Sequence, residues 1–448
     1  MHRSNFLSWL TRRLALVGLV VGLTAAAAPA SSAAKGARPD PTFGNGRGWV
    51  TTSLPGGSAN AYGAAVIGGG KIVIVGQWVP PSGNGQVLVA RYLRNGRLDR
   101  SFGSGGVFRS SLPTVDGPFN GLAIAQERST GRLVVAGGYG LGSILVLRLT
   151  PNGRLDRSFG PKRTGLTTTP VGGIGESLVI QRNGGILVGS SNENQNGRPM
   201  VVARYTRTGV LDRRFGSGGL AQALFWNPDL TSSAGVQGLA SAPDGGIIAS
   251  GHLDYIGGDG HGTAGVFRLS AAGRPVTGFG SGGHAEIGFK NASGGGNAQW
   301  FPCAMSVDSR GRTTVTGDGS TGPGSALLSA RLTLSGRLDA SFGTAGRSVV
   351  QGLLNSSDTV CGAAPTATGG LTVGVGHTLA ALQSNGLANN HFARGGIVTV
   401  TRPAHAGINA LVGSGSCSFV VAGFAGNDVY VARYLQPSRA VRRGTLMT

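Results

Sequence analysis

The residues able to do chemistry are few in this chain, and their spacing decides what they cannot do. Beyond the extreme N-terminus the histidines are His252, His261, His284, His377, His391 and His405. None stands at metal-ligand spacing from a cysteine or carboxylate. Asp254 and Asp259 share a glycine-rich loop, but two carboxylates fall short of the oxygen shell of a Ca2+ site. The glycine-rich stretches are not phosphate loops, because no helical pattern follows them. Cys303, Cys361 and Cys417 allow one disulfide at most and leave a thiol over. The composition therefore carries no catalytic set, no metal site and no cofactor motif.

A second group of polar residues recurs. Arg91, Arg148, Arg204, Arg268, Arg331 and Arg433 return at one position of an apolar segment, and Asp99, Asp156, Asp212 and Asp339 return in the turn that follows. Repetition of this kind marks scaffolding: an Asp accepting turn hydrogen bonds with an Arg beside it.

The repeat that carries them organises the chain. Arg97-Leu98-Asp99-Arg100-Ser101-Phe102-Gly103 returns as residues 154–160 and 337–343, with weaker copies elsewhere. Its anchors are Phe43, Phe102, Phe159, Phe215, Phe279, Phe342 and Phe392, spaced 50 to 64 residues apart. Between anchors lie short β-branched segments, clearest at 62–67, 71–76 and 86–93, with 48–54 just after an anchor. Asn95-Gly96, Asn152-Gly153 and Asp244-Gly245 sit at the turns, where glycine tolerates positive φ. Four strands per unit cannot bury their own faces, so units must pack sheet on sheet. The fold expected is all-β, a seven-bladed β-propeller of four-stranded blades with the last blade closed by the N-terminal strand.

Leu-Asp-x-Ser-Phe-Gly, Lys-Ile-Val-Ile-Val-Gly at 71–76 and Val-Ala-Arg-Tyr at 89–92 resemble the delta-60 repeat family of bacterial propeller proteins. The resemblance spans nearly the whole chain after residue 34 and implies a fold, not an activity. Val276 and Asn389 depart from the motif Asp and Ala381 from the strand Arg, so those blades are expected to pair differently.

The strand pattern also resembles NHL-type propellers, which implies that the segment before the glycine-rich hairpin is innermost. Alignment of the seven inner strands sets Tyr62, Asn120, Glu176, Gln237, Cys303, Cys361 and Asn409 at one level near the axis. The position is polar and varies from blade to blade, as a ligand site at the channel mouth would, or as simple hydration of the mouth would. Phe119, Phe225, Trp226, Trp300 and Phe301 lie in the loops entering it, either to stack a planar ligand or to plug the funnel. Cys303 and Cys361, in adjacent blades, are either bridged or free. Glu176 is the one acid of the ring, so paired-carboxylate hydrolysis lacks its second partner.

Residues 1–34 read as a signal peptide, with Arg3, Arg12 and Arg13 before an apolar stretch and small residues after it. Residues 35–438 form the propeller and 439–448 a tail. No later stretch has the apolar length to span a bilayer, so the mature chain is expected to be secreted or at the cell surface. The net charge is +21, and only Lys35, Lys71, Lys162 and Lys290 are lysines, so the excess is arginine. It reflects either an anionic partner or compositional bias. The function expected is non-enzymatic binding or scaffolding through the channel-mouth face, to a glycan, envelope polymer or protein, without sequence-specific nucleic acid recognition. An extracellular lyase or hydrolase at the mouth and an electrostatic binder of anionic envelope polymers are the alternatives.

Overall fold

Segments such as Lys71–Val79 are apolar at nearly every position rather than every second one, a pattern that demands burial on both faces of the sheet. A computed structural model describes residues 36–436, apart from 83, 111–120, 141, 192–198, 226–229, 233–234, 256–261, 293–297, 323, 354–360, 367, 401–402, 404–405 and 416–417. In it the chain forms seven antiparallel sheets, each built on an up-and-down run of four strands, with a short fifth strand added in blades 4 and 7. Blade 1 is Ser58–Ile67, Lys71–Val79, Gln86–Tyr92 and Val107–Arg109. Blades 2 to 6 repeat it, and the first strand of every blade packs against the first strands of both neighbours, which closes the ring.

Seven apolar cores fill the seven gaps between blades. Alternate residues of one strand serve different gaps. Ile72 and Ile74 enter the core shared with blade 7, whereas Val73 and Val75 enter the core shared with blade 2. Each blade is thus the filling of two interfaces.

Blade 7 joins the ends of the chain. Its strands Ala406–Gly413, Ser418–Ala425 and Asp428–Leu435 are completed by Trp49–Thr52, with Val50 opposite Val431. Arg38–Pro39 also pairs with the end of Asp428–Leu435. The expected closure is therefore present, and it hides sheet edges that would otherwise template association.

The repeated Arg, Asp and Phe form a clamp between consecutive blades. Arg91 Nε donates to Asp99 Oδ2 at 2.9 Å, Nη2 donates to Ser101 Oγ at 3.1 Å, and Nη1 donates to the Pro151 carbonyl of blade 2. Its guanidinium lies 4.6 Å over the Phe102 ring. Phe102 fills the space above Gly153 of blade 2, where any Cβ would collide with the ring, and Gly103 N–H donates to Asn152 O at 2.8 Å. Arg148 repeats the set with Asp156, Ser158, Phe159 and the Arg207 carbonyl, and Arg331 does so with Asp339, Ser341, Phe342 and the Ser384 carbonyl. In the closing blade Arg433 bonds Asp40 at 2.6 Å, Thr42 at 2.7 Å and the Arg94 carbonyl, tying residues 393 apart in sequence. Only a guanidinium offers this fork, which is why the repeat uses Arg and not Lys. Burial pushes the Asp40 carboxyl up, but the hydrogen bonds of Thr42 and the Arg433 guanidinium outweigh it and hold it below the usual carboxylate range. Asp99 lies well below that range: Lys71, Ser101 and Arg91 together overcome its burial.

The degenerate blades show how the clamp tolerates loss. Blade 6 has Ala381 for Arg and Asn389 for Asp, so both charges vanish together and neither is left buried alone. Asn389 keeps the turn by accepting from His391 N–H at 3.1 Å. In place of the missing clamp, the N-terminal segment docks, with Ala37 N–H donating to Phe392 O at 2.8 Å. Blade 4 keeps Arg268 but has Val276 for Asp, and Arg268 turns to Asp244 of the preceding hairpin at 2.5 Å. Among the described residues no helix is long and apolar enough to cross a membrane.

Three outcomes follow from the clamp. Asp40→Asn leaves a buried guanidinium without its counter-charge and is expected to cost about 3–5 kcal/mol, read as a lower urea midpoint; an unchanged midpoint would remove the clamp as the closing element. Arg148→Lys keeps the charge without the fork and is expected to recover only part of the stability lost in Arg148→Ala. Because Asp40, Asp99, Asp156 and Asp339 titrate below their unfolded value of about 4, their stabilisation is complete above that pH and is lost as pH falls through the folded-state values. Circular dichroism on acidification should therefore show unfolding below about pH 4, with a shallower acid dependence in Asp40→Asn.

Candidate functional site

The inner strands share a device that the repeat alone does not announce. In five blades the register of the first strand against the second slips by one residue at one level, between Ala61 and Gly63, Gly121 and Ala123, Val236 and Gly238, Pro302 and Ala304, and Ile408 and Ala410. The extra residue in each β-bulge is Tyr62, Leu122, Gln237, Cys303 or Asn409. A bulge redirects one side chain out of the sheet's alternation. The strand residue opposite is always glycine: Gly76, Gly137, Gly251, Gly317 and Gly423. A Cβ at Gly76, Gly251, Gly317 or Gly423 would run into the carbonyl oxygen of Asn60, Gly235, Phe301 or Gly407. Blades 3 and 6 have Ser190 and Val375 at that position, and their inner strands pair without a slip. Those glycines were the available sequence signal for the bulge.

Four of the seven expected ring residues, Tyr62, Gln237, Cys303 and Asn409, are the bulge residues. Tyr62, Gln237 and Cys303 are half-buried while the residues before and after them are buried. Glu176 takes the same level in blade 3 without a bulge, its N–H donating to Gly189 O at 2.9 Å. Its carboxylate lies against Gly235, where a Cβ would leave it no room, so it reaches across to the strand that carries Gln237. Asn409 is committed to closure: its amide nitrogen donates to Asn60 Oδ1 and Ala61 O of blade 1, both at 2.8 Å.

Several expectations are corrected. The blade 2 residue at this level is Leu122, two positions on from Asn120, because the strand pairs Gly121 with Gly137; Asn120 itself lies outside the described residues. Cys361 pairs directly with Val375 in an unbulged strand, and its side chain lies outside the described residues, as do Cys417, Trp226 and Phe119. Cys303 is disulfide-bonded, which makes it a crosslink and not a ligand thiol, and the strand of Cys361 is its neighbour in the ring. Trp300 is wholly buried in the core between blades 4 and 5, edge-to-face with Phe289 at 4.8 Å, and cannot stack a ligand at the mouth. Phe225 is likewise buried, against His284. Phe301 stays half-buried, 5.2 Å from the His252 ring. The ring thus reduces to Tyr62, Glu176 and Gln237, one side chain each from blades 1, 3 and 4.

The open clefts lie elsewhere, beside the degenerate blades. One of about 530 Å3 adjoins Val276, Arg268 and Leu334, and one of about 710 Å3 adjoins Arg347, Gly386 and Leu387. Both are open, the first lined by Asp244, Arg268 and Arg310 and the second by Lys290, Arg347 and Gln351, and neither is built from the inner strands that converge on the axis. Among the described residues, no three of His, Cys, Asp and Glu come together as a metal would need.

Comparison with known proteins gives a match to the family model "Domain of unknown function (DUF5122) beta-propeller" at residues 70–102 and 128–159. These two stretches run from the first hairpin to the Phe anchor of blades 1 and 2, where the clamp is complete. No curated protein matches the sequence. Among solved structures, the chain is similar to a catalytically inactive virginiamycin B lyase from Staphylococcus aureus crystallised with quinupristin, at 12% identity and TM-score 0.44, covering 86% of this chain and 99% of that one. It is similar to a protein of unknown function from Dyadobacter fermentans at 12% identity and TM-score 0.45, covering 90% and 99%. The PQQ-bound aldose sugar dehydrogenase of Streptomyces coelicolor follows at 12% identity and TM-score 0.38, covering 86% and 98%. By its own strand order and closed ring, this chain is a seven-bladed β-propeller.

Proposed function

We propose that the chain is an exported, non-enzymatic binding propeller of the delta-60 type, which seats a sugar at the end of the channel where the inner strands begin. One observation carries the reading. Within a molecule whose blades repeat nearly every contact, the five bulges hold five different residues. Tyr62 offers a flat apolar face, Glu176 a carboxylate and Gln237 an amide, a combination suited to a pyranose ring and its hydroxyls. Tyr62 and Gln237 are held within inner strands and Glu176 directly precedes one. A single carboxylate binds hydroxyls but lacks the partner that glycoside hydrolysis requires.

Calorimetry with chito-oligosaccharides and with uronic-acid oligosaccharides tests the reading. Tyr62→Ala and Gln237→Ala are each expected to weaken binding about tenfold, equivalent to roughly 1.4 kcal/mol, with unchanged thermal midpoints. Gly235→Ala should do the same indirectly, because its methyl displaces only the movable end of Glu176. Unaltered affinity in all three variants would place the ligand elsewhere. Release of shortened or unsaturated products during the titration would establish a hydrolase or lyase at this place instead.

A further inference from the structure

The antiparallel order of each blade puts two kinds of connection at one end of the ring: the hairpin between first and second strands and the turn between third and fourth. The salt bridges join them, as Lys71 with Asp99 and Arg132 with Asp156 show within blades, and Arg207 with Glu127 between blades. This end, opposite the proposed sugar site, also holds the clamps.

Its acids are consumed. Asp40, Asp99, Glu127, Asp156, Asp212, Asp244, Asp308 and Asp339 each face an arginine within 3.0 Å. Most of its surface arginines are not. In the turn after the third strand, Arg94, Arg97 and Arg100 of blade 1, Arg154 and Arg157 of blade 2, and Arg213 and Arg214 of blade 3 are all exposed and make no ion pair among the described residues. The same turn exposes a single arginine in blade 4 (Arg274), in blade 5 (Arg337) and in blade 7 (Arg38), and its 383–389 counterpart in blade 6 has no basic residue. The positive charge is therefore an arc over three blades rather than a uniform face. Gly103 N–H to Asn152 O and Gly160 N–H to Thr208 O, both 2.8 Å, join the three turns into one ridge.

We propose that this arc binds a linear polymer bearing a phosphate in each repeating unit. A bilayer would meet all seven turns equally, whereas an extended chain needs only a continuous ridge. Arginines three apart in one turn can converge on a single phosphate, whose free oxygens accept from two guanidinium forks. Asn, Gly, Leu and Ser lie between them, with no exposed aromatic to stack a base, so the polymer recognised is one without bases.

The probe is long-chain inorganic polyphosphate, titrated into the full chain at rising NaCl. Two variants of equal charge loss are compared: Arg97, Arg154, Arg157 and Arg213 each to Gln on the arc, and Arg274, Arg310, Arg337 and Arg394 each to Gln outside it. The arc variant is expected to lose on the order of tenfold or more in affinity and to show a flatter salt dependence, while the other changes less than about threefold; both should melt with wild type, since these side chains are exposed. Undiminished binding by the arc variant, or equal loss in both, overturns the assignment. So does tighter binding of polygalacturonate, of single-stranded DNA or of phosphatidylglycerol vesicles than of polyphosphate.

Discussion

A four-stranded blade with both faces apolar has no stable existence alone, and the rest of the molecule answers that constraint. Each sheet needs a neighbour on either side, every neighbour has the same need, and only a closed ring leaves no face exposed. The seven cores lie between blades and not within any one of them. Closure must then be secured at the one seam where the chain's ends meet. Trp49–Thr52 completes the final sheet there, and the Arg433–Asp40 clamp pins it.

The Arg clamp converts a non-directional hydrophobic stack into a fixed angle between blades. Each guanidinium is shared by its own turn, its own Phe anchor and the backbone of the next blade, so the blades cannot rotate past one another without breaking several charge-assisted bonds. Its absence in blade 6 is informative. Loss of Arg and Asp together avoids a buried lone charge, and the N-terminal segment takes over the contact at Phe392. In blade 4 the Arg persists because Asp244 is within reach.

The two ends of the ring are built on opposite principles. At one end the acids are spent on clamps and the surplus arginines stand outside, a field that is fixed by the repeat itself. At the other the inner strands break their own register to present unlike side chains. The bulges are paired with glycines because two backbones approach there more closely than a Cβ permits. One end is thus uniform in geometry and biased in charge, while the other is varied in chemistry on uniform geometry.

Blade number, strand count and closure were legible in the sequence, because the Phe anchors recur at the repeat length and local β propensity is strong in every unit. The scaffolding role of the repeated Arg and Asp was legible for the same reason. The ring of candidate residues was legible only in part. Asn120 was placed two positions out of register, since which residue of the inner strand lies opposite Gly137 is set by backbone contact between strands and not by composition. Trp300 looked available in a loop, but the gap between blades 4 and 5 buries it completely, and that gap exists only once two sheets are packed. The cysteine bond at Cys303 and the segregation of charge to one end likewise depend on which blades become neighbours and which connections share an end. Local pattern specified the repeating unit; the contacts between units, formed by residues far apart in the chain, decided everything that is not repeated.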